Sequence, residues 1–178
     1  MIIKFEKYVL INGSKVFIHP NAMNCLKIIE LLPEGEEITP MTLNKVLALF
    51  FRDDWKQFSN EEIFKAMNDF LFKRFNDFEG SKSERVFDIV KDFDAIYTGI
   101  LRVYKIDIIE EEVHWWKFLL MLSDLDEENA ISYRKKIRGT KLSDIKDPNQ
   151  RSNISRAKES IRLTKKLSLE ERNKRWRG

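Results

Sequence analysis

A chain of 178 residues with 43% apolar and 12% aromatic side chains can bury a core, and 34% charge with a mean hydropathy of −0.43 indicates a well-solvated globular surface. No stretch approaches the roughly 18 apolar residues that a membrane-crossing helix needs, and the opening MIIKFEKYVL lacks the apolar segment and cleavage site of a secretory signal, so the expected location is the cytoplasm. The net charge of +3 hides a division into an acidic body, net −8 over residues 1–133, and a basic arm, net +11 over 134–178, which favours an electrostatic partner for the arm or its docking on the body.

In chain order, Asn12-Gly13 between Tyr8-Val9-Leu10-Ile11 and Ser14-Lys15-Val16-Phe17-Ile18 predicts a β-hairpin, because both turn residues tolerate positive φ. His19-Pro20 ends it, and Asn21 is placed to cap a helix over about 22–32. Cys25, the sole cysteine, falls on the apolar face of that helix and reads as core, with no basic neighbour to activate its thiol. Pro33-Glu34-Gly35 is a turn, and Thr39-Pro40 is an N-cap followed by proline at the first helical position. Ser59 and Glu62 form a capping box for a third helix, with Ile63, Phe64, Met67, Phe70, Leu71 and Phe75 three and four apart.

A fourth helix is predicted over about 84–104, with Asp88, Asp92 and Asp94 on a solvated side near Arg85 and Lys91. Asp107 is expected to cap a fifth helix whose first turn carries Glu110, Glu111 and Glu112, favoured there by the helix dipole. From Val113 to Leu122 only His114 and Lys117 are polar, so the segment must be enclosed, with Trp115 and Trp116 gripped from two sides. His114 reads as a surface or hydrogen-bonded histidine: one Cys and two His cannot furnish a zinc site. Asp126-Glu127-Glu128 opens a sixth helix through Ile131, Tyr133 and Ile137, ended by Gly139. Beyond the connector 142–148, residues 149–167 predict a basic helix with a thin apolar stripe of Ile154, Ala157 and Ile161. The expected architecture is therefore mainly α: an N-terminal β-hairpin and a compact bundle of about five to six helices over 1–147, then a basic helical arm over 148–178.

The chain has no glycine-rich phosphate loop, no Gly-x-Ser-x-Gly, no His-Glu-x-x-His and no Cys-x-x-Cys. No enzyme activity, metal or cofactor is expected. The structural core is expected to include Phe93, Tyr97, Trp115, Trp116 and Phe118.

Tyr104-Lys105-Ile106-Asp107, His114-Trp115-Trp116-Lys117-Phe118, Tyr133-Arg134-Lys135-Lys136-Ile137-Arg138 and Ile145-Lys146-Asp147 together resemble the gp-fifteen family of the tail region of Gram-positive phages and prophages. The resemblance covers roughly residues 85–165. It implies a tail-morphogenesis protein made in the cytoplasm of the bacterial host and encoded beside the tape-measure gene, acting as a tail-assembly chaperone without catalytic residues. The implied partners are the tape-measure protein and the major tail protein, with self-association open.

A tape-measure protein is a long helical chain with exposed apolar stripes, which a small aromatic-faced helical protein could cover. The residues expected to do so are Phe72, Phe75 and Phe78, with Arg156, Arg162, Lys165, Lys166, Arg175 and Trp176 of the arm adding electrostatic capture. The alternative from another class is a nucleic-acid-binding module, with the arm on phosphates and Trp176 stacked on a base. A single aromatic among so many charges is poor interleaving for that role.

Overall fold

A computed structural model describes residues 4–32, 38–72, 86–125 and 128–163. The described residues form one two-stranded sheet and seven α-helices, so the protein is mainly helical with an N-terminal hairpin.

Strands β1 (Tyr8–Ile11) and β2 (Ser14–Phe17) pair antiparallel, Val9 opposite Val16 and Leu10 opposite Lys15. Asn12 at φ 50° and Gly13 at φ 79° make the turn that Asn-Gly predicts. Alternation sends Val9, Ile11 and Val16 into the core and leaves Leu10 and Phe17 exposed. Past Pro20, α1 (Ala22–Leu31) starts with Asn21 Oδ1 accepting from Met23 N at 2.8 Å. Cys25 is fully buried on it, and burial pushes its thiol pKa up, as expected of a core residue.

Helix α2 (Pro40–Phe50) is capped by Thr39, which accepts from Thr42 N at 3.2 Å. The capping box of α3 (Asn60–Phe72) forms both bonds, Ser59 N to Glu62 Oε2 at 2.9 Å and Glu62 N to Ser59 Oγ at 3.4 Å. The hairpin is tied to the end of α2 by His19 N donating to Phe50 O at 2.7 Å, which makes His19 a strand-end residue.

Two expectations fail in the middle of the chain. Helix α4 spans Phe93–Tyr104, not 84–104. The residues before it form a turn held by carboxylates: Asp88 Oδ1 accepts from Val90 N at 3.0 Å and Lys91 N at 2.9 Å, and Asp92 Oδ2 accepts from Asp88 N at 3.1 Å. Short acidic side chains compete with the helical ladder by bonding nearby backbone, so the helix begins after them. Glu110 to Glu112 are exposed but precede α5 (Trp115–Ser123), and Asp107 accepts from Tyr97 Oη at 3.1 Å instead of capping that helix. Helix α6 (Ala130–Gly139) is capped by Asn129, whose Oδ1 accepts from Ser132 N at 3.0 Å; of the acidic triplet expected to open it, Glu128 precedes the helix and Asp126 and Glu127 lie outside the described residues. After a 3₁₀ turn, Leu142–Asp144, α7 (Pro148–Ser160) starts with Asp147 Oδ1 accepting from Asn149 N at 2.9 Å.

These elements fall into two compact units. Unit 1 holds the hairpin, α1, α2, α3 and the stretch Ile108–Ser123 with α5; unit 2 holds α4, α6, the 3₁₀ turn and α7. The chain thus leaves unit 2 after Asp107 and re-enters at Asp124. On the unit 2 side each junction is pinned to α4: Tyr97 Oη donates to Asp107, and Tyr104 Oη donates to Asp124 Oδ2 at 2.7 Å. Burial and that bond to Asp124 push the Tyr104 hydroxyl up to about 12.

Candidate binding surfaces

In unit 1 the block His114 to Phe118 is a joint. Backbone pairing seats it beside the start of α1, with Trp115 N donating to Pro20 O at 2.7 Å and Ala22 N to Val113 O at 2.8 Å. His114 caps α5: its Nδ1 accepts from Trp116 N at 3.1 Å, so the ring proton sits on Nε2, which donates to Glu6 O at 2.9 Å. Both ring nitrogens are engaged with backbone, the hydrogen-bonded role expected of this histidine. The two tryptophans then close α3. Trp115 Nε1 donates to Leu71 O and Trp116 Nε1 to Phe70 O, each at 3.0 Å, satisfying carbonyls that a helix end leaves without an internal donor. Trp115 is fully buried and stacked on the equally buried Phe118 at 5.4 Å; Trp116 is half-buried against Phe70 at 5.0 Å.

In unit 2 the centre is Asp92. The expectation that Asp88, Asp92 and Asp94 form a solvated face fails for two of the three: Asp92 is 0% and Asp88 4% exposed, while Asp94 is exposed as expected. Arg138 NH1 reaches Asp92 Oδ2 at 2.6 Å and Arg138 NH2 reaches Oδ1 at 2.8 Å, while Arg134 NH1 lies 3.2 Å from Oδ1. Arg134 also forks onto Asp94, at 2.7 and 2.6 Å. Arg138 has two further acceptors, Val86 O at 3.0 Å and, through Nε, Ile161 O at 2.7 Å. Burial alone would raise the Asp92 pKa, but the Arg138 bonds, the Asp88 amide, the Arg138 charge and the Arg134 bond together hold it below the usual carboxylate range. Asp94 is lowered chiefly by its Arg134 bonds, and Arg134 is raised chiefly by Asp94.

The profile of the Bacteriophage Gp15 protein family matches residues 7–163. The chain belongs to the bacteriophage Gp15 family. The match takes in the hairpin and the first three helices, well beyond the stretch 85–165 that carries the resemblance in sequence. Among curated proteins and among solved structures nothing matches the chain.

In this Gp15-family chain the motif residues build the fold. Tyr104 pins a junction, Lys105 ends α4 in the left-handed conformation, and Asp107 receives Tyr97. Arg134 and Arg138 hold Asp92, and Asp147 caps α7. Tyr133, 57% exposed, is left facing outward. Of the residues expected to bind a partner, Phe72 is half-buried at the last position of α3. Arg156 is exposed and donates to Asn153 Oδ1 at 2.9 Å, and Arg162 is exposed, 3.6 Å from Glu159. Phe75, Phe78, Lys165, Lys166, Arg175 and Trp176 lie outside the described residues. Phe93, Tyr97 and Trp116, expected in the core, are half-buried. The sequence reading missed the Asp92–Arg138 pair; its one trace was two arginines four residues apart on α6, at 134 and 138. Among the described residues no His, Cys, Asp and Glu group is arranged to hold a metal, and no helix is long and apolar enough to cross a membrane.

Proposed function

We propose that this Gp15-family protein is a non-enzymatic tail-morphogenesis factor, a tail-assembly chaperone that shields the apolar stripes of the tape-measure protein until tail subunits polymerise. Family membership over residues 7–163 carries the reading. The disposition of the reactive side chains supports it: the Asp92 carboxylate is saturated by two arginines and an amide, His114 is engaged at both nitrogens, and Cys25 is sealed in the core. Groups of the kind that perform acid-base or nucleophilic chemistry are here used as joints. Exposed apolar side chains, Met41 at 67% and Leu10 at 61% among them, offer apolar contact surface, and the basic segment from 148 on adds electrostatic capture.

Co-expression with the tape-measure protein of the same genome tests the reading. The expected result is co-purification and a larger soluble fraction of that protein, persisting at 0.5 M salt on the order expected of apolar groove binding, where phosphate contacts would be screened. Absence of co-purification together with an unchanged soluble fraction would refute it; binding of any polyanion, lost log-linearly with salt, would favour the nucleic-acid alternative.

A further inference from the structure

Asn12-Gly13 is the one place in the chain where glycine follows asparagine. Both residues are exposed at the tip of the hairpin, the Gly13 amide makes no hydrogen bond among the described residues, and nothing lies within 4 Å of where a Gly13 side chain would begin. With no Cβ beside it, that backbone nitrogen has an unobstructed approach to the side-chain carbonyl carbon of Asn12 once the turn dihedrals relax. The Asn12 side chain is itself engaged. Its Nδ2 donates to Glu62 Oε1 in the first turn of α3, fifty residues away, while Glu62 Oε2 accepts from Ser59 N. One exposed carboxylate thus closes both the hairpin tip and the α3 capping box, and the bond from Asn12, followed by those from Ser59, holds the Glu62 carboxyl below the usual range and keeps it charged.

We propose that Asn12 is a self-modifying site, whose conversion to aspartate or isoaspartate is restrained by Glu62 and, once complete, releases the hairpin tip from α3. The Gly13 amide nitrogen gives its proton to hydroxide and attacks Asn12 Cγ; the Cγ–Nδ2 bond breaks, and the amide leaves as ammonia with a proton taken from water. Water then adds to either carbonyl of the resulting five-membered imide and opens it to aspartate or, with the main chain routed through the side chain, to isoaspartate. Glu62 opposes the first step in two ways: its bond holds the Asn12 amide at α3, and its charge disfavours a second anion at the Gly13 nitrogen. Afterwards its role reverses. The Nδ2 donor is gone, and a carboxylate faces Glu62 where an amide stood, so like charges oppose each other across the joint. Isoaspartate also lengthens the main chain of a two-residue turn whose length sets Val9 opposite Val16.

The test uses the full chain, incubated at mildly alkaline pH and digested with trypsin, which isolates Tyr8–Lys15 with Asn12 as its sole side-chain amide. Mass spectrometry, with enzymatic methylation to mark isoaspartate, is expected to show Asn12 converting ahead of every other asparagine. Glu62→Ala is expected to convert several-fold faster than the wild type, and Ser59→Ala, which loosens the same helix end but keeps the Asn12 bond, at the wild-type rate. Asn12→Asp, the product made directly, is expected to lower Tm by about 1–3 °C, the shift that opposed like charges give in a chain of this size, and to lose that effect in a Glu62→Gln background. Conversion of Asn12 no faster than that of the other asparagines, equal rates in the wild type and Glu62→Ala, a Ser59→Ala rate matching Glu62→Ala, or the same Tm loss from Asn12→Asp with and without Glu62→Gln overturns the proposal. None of these measurements involves the tape-measure protein, so the chaperone reading stands or falls by its own test.

Discussion

Arg138 and Asp92 meet end-on, both terminal nitrogens of the guanidinium facing both oxygens of a carboxylate that is 0% exposed. Forty-six residues separate them in sequence, and the pair ties the turn before α4 to the middle of unit 2. The planar fork of arginine matches a carboxylate at two points, which a lysine cannot do.

Removing one partner of that pair leaves the other buried and uncompensated. Asp92→Ala is expected to lower the unfolding free energy by about 3–5 kcal/mol. Asp94→Ala, whose side chain is 69% exposed, should cost less than about 1 kcal/mol. Urea denaturation followed by circular dichroism measures both; equal losses at the two positions would contradict the burial argument.

Acid sensitivity follows from the same carboxylates. Asp92 and Asp94 are lowered in the folded protein, so each adds stability that is fully present above the unfolded value of about 3.9 and is lost as pH falls through the folded value. The midpoint of unfolding should therefore be level with respect to these groups above about pH 5 and decline below about pH 4. Asp94→Asn should show a shallower decline than the wild type in thermal melts between pH 5 and pH 2 (roughly the window over which such carboxyls titrate).

The tryptophan doublet makes two separable contributions. Trp115→Phe keeps a ring against Phe118 but leaves Leu71 O buried without its indole donor, for an expected loss of about 1–3 kcal/mol. Trp116→Phe, at a half-buried site, should cost about 0.5–1.5 kcal/mol. Chemical denaturation of the two single variants checks the order, and a larger loss at 116 would refute the assignment of the deeper joint to 115.

Lys105 holds φ 56° at the end of α4, a conformation that costs a residue with a Cβ more than it costs glycine. Lys105→Gly is expected to raise stability by about 0.5–1 kcal/mol, the relief exceeding the added freedom of the unfolded chain, and Lys105→Val to lower it. Thermal melts of both variants read the sign.

What the sequence determined by itself was whatever is closed within a few residues. Asn12-Gly13 dictates a turn through its own φ preference, and Asn21, Thr39 and the Ser59–Glu62 box cap helices because each reaches an amide two or three positions away. The enclosure of Trp115 and Phe118 was legible from an apolar run too continuous for a surface helix. The acidic residues divided differently. Asp88 and Asp92 look solvated on a helical wheel, and Glu110 to Glu112 look like a first turn, because a local pattern cannot distinguish a charge facing water from one facing an arginine more than forty residues away. Only the tertiary structure decided that Asp92 is buried, that Asp107 and Asp124 receive the tyrosines of α4, and that two indoles finish α3. The reason is physical: desolvating a carboxylate is tolerated only where the fold delivers enough donors to it, and that delivery depends on which distant segments are brought together.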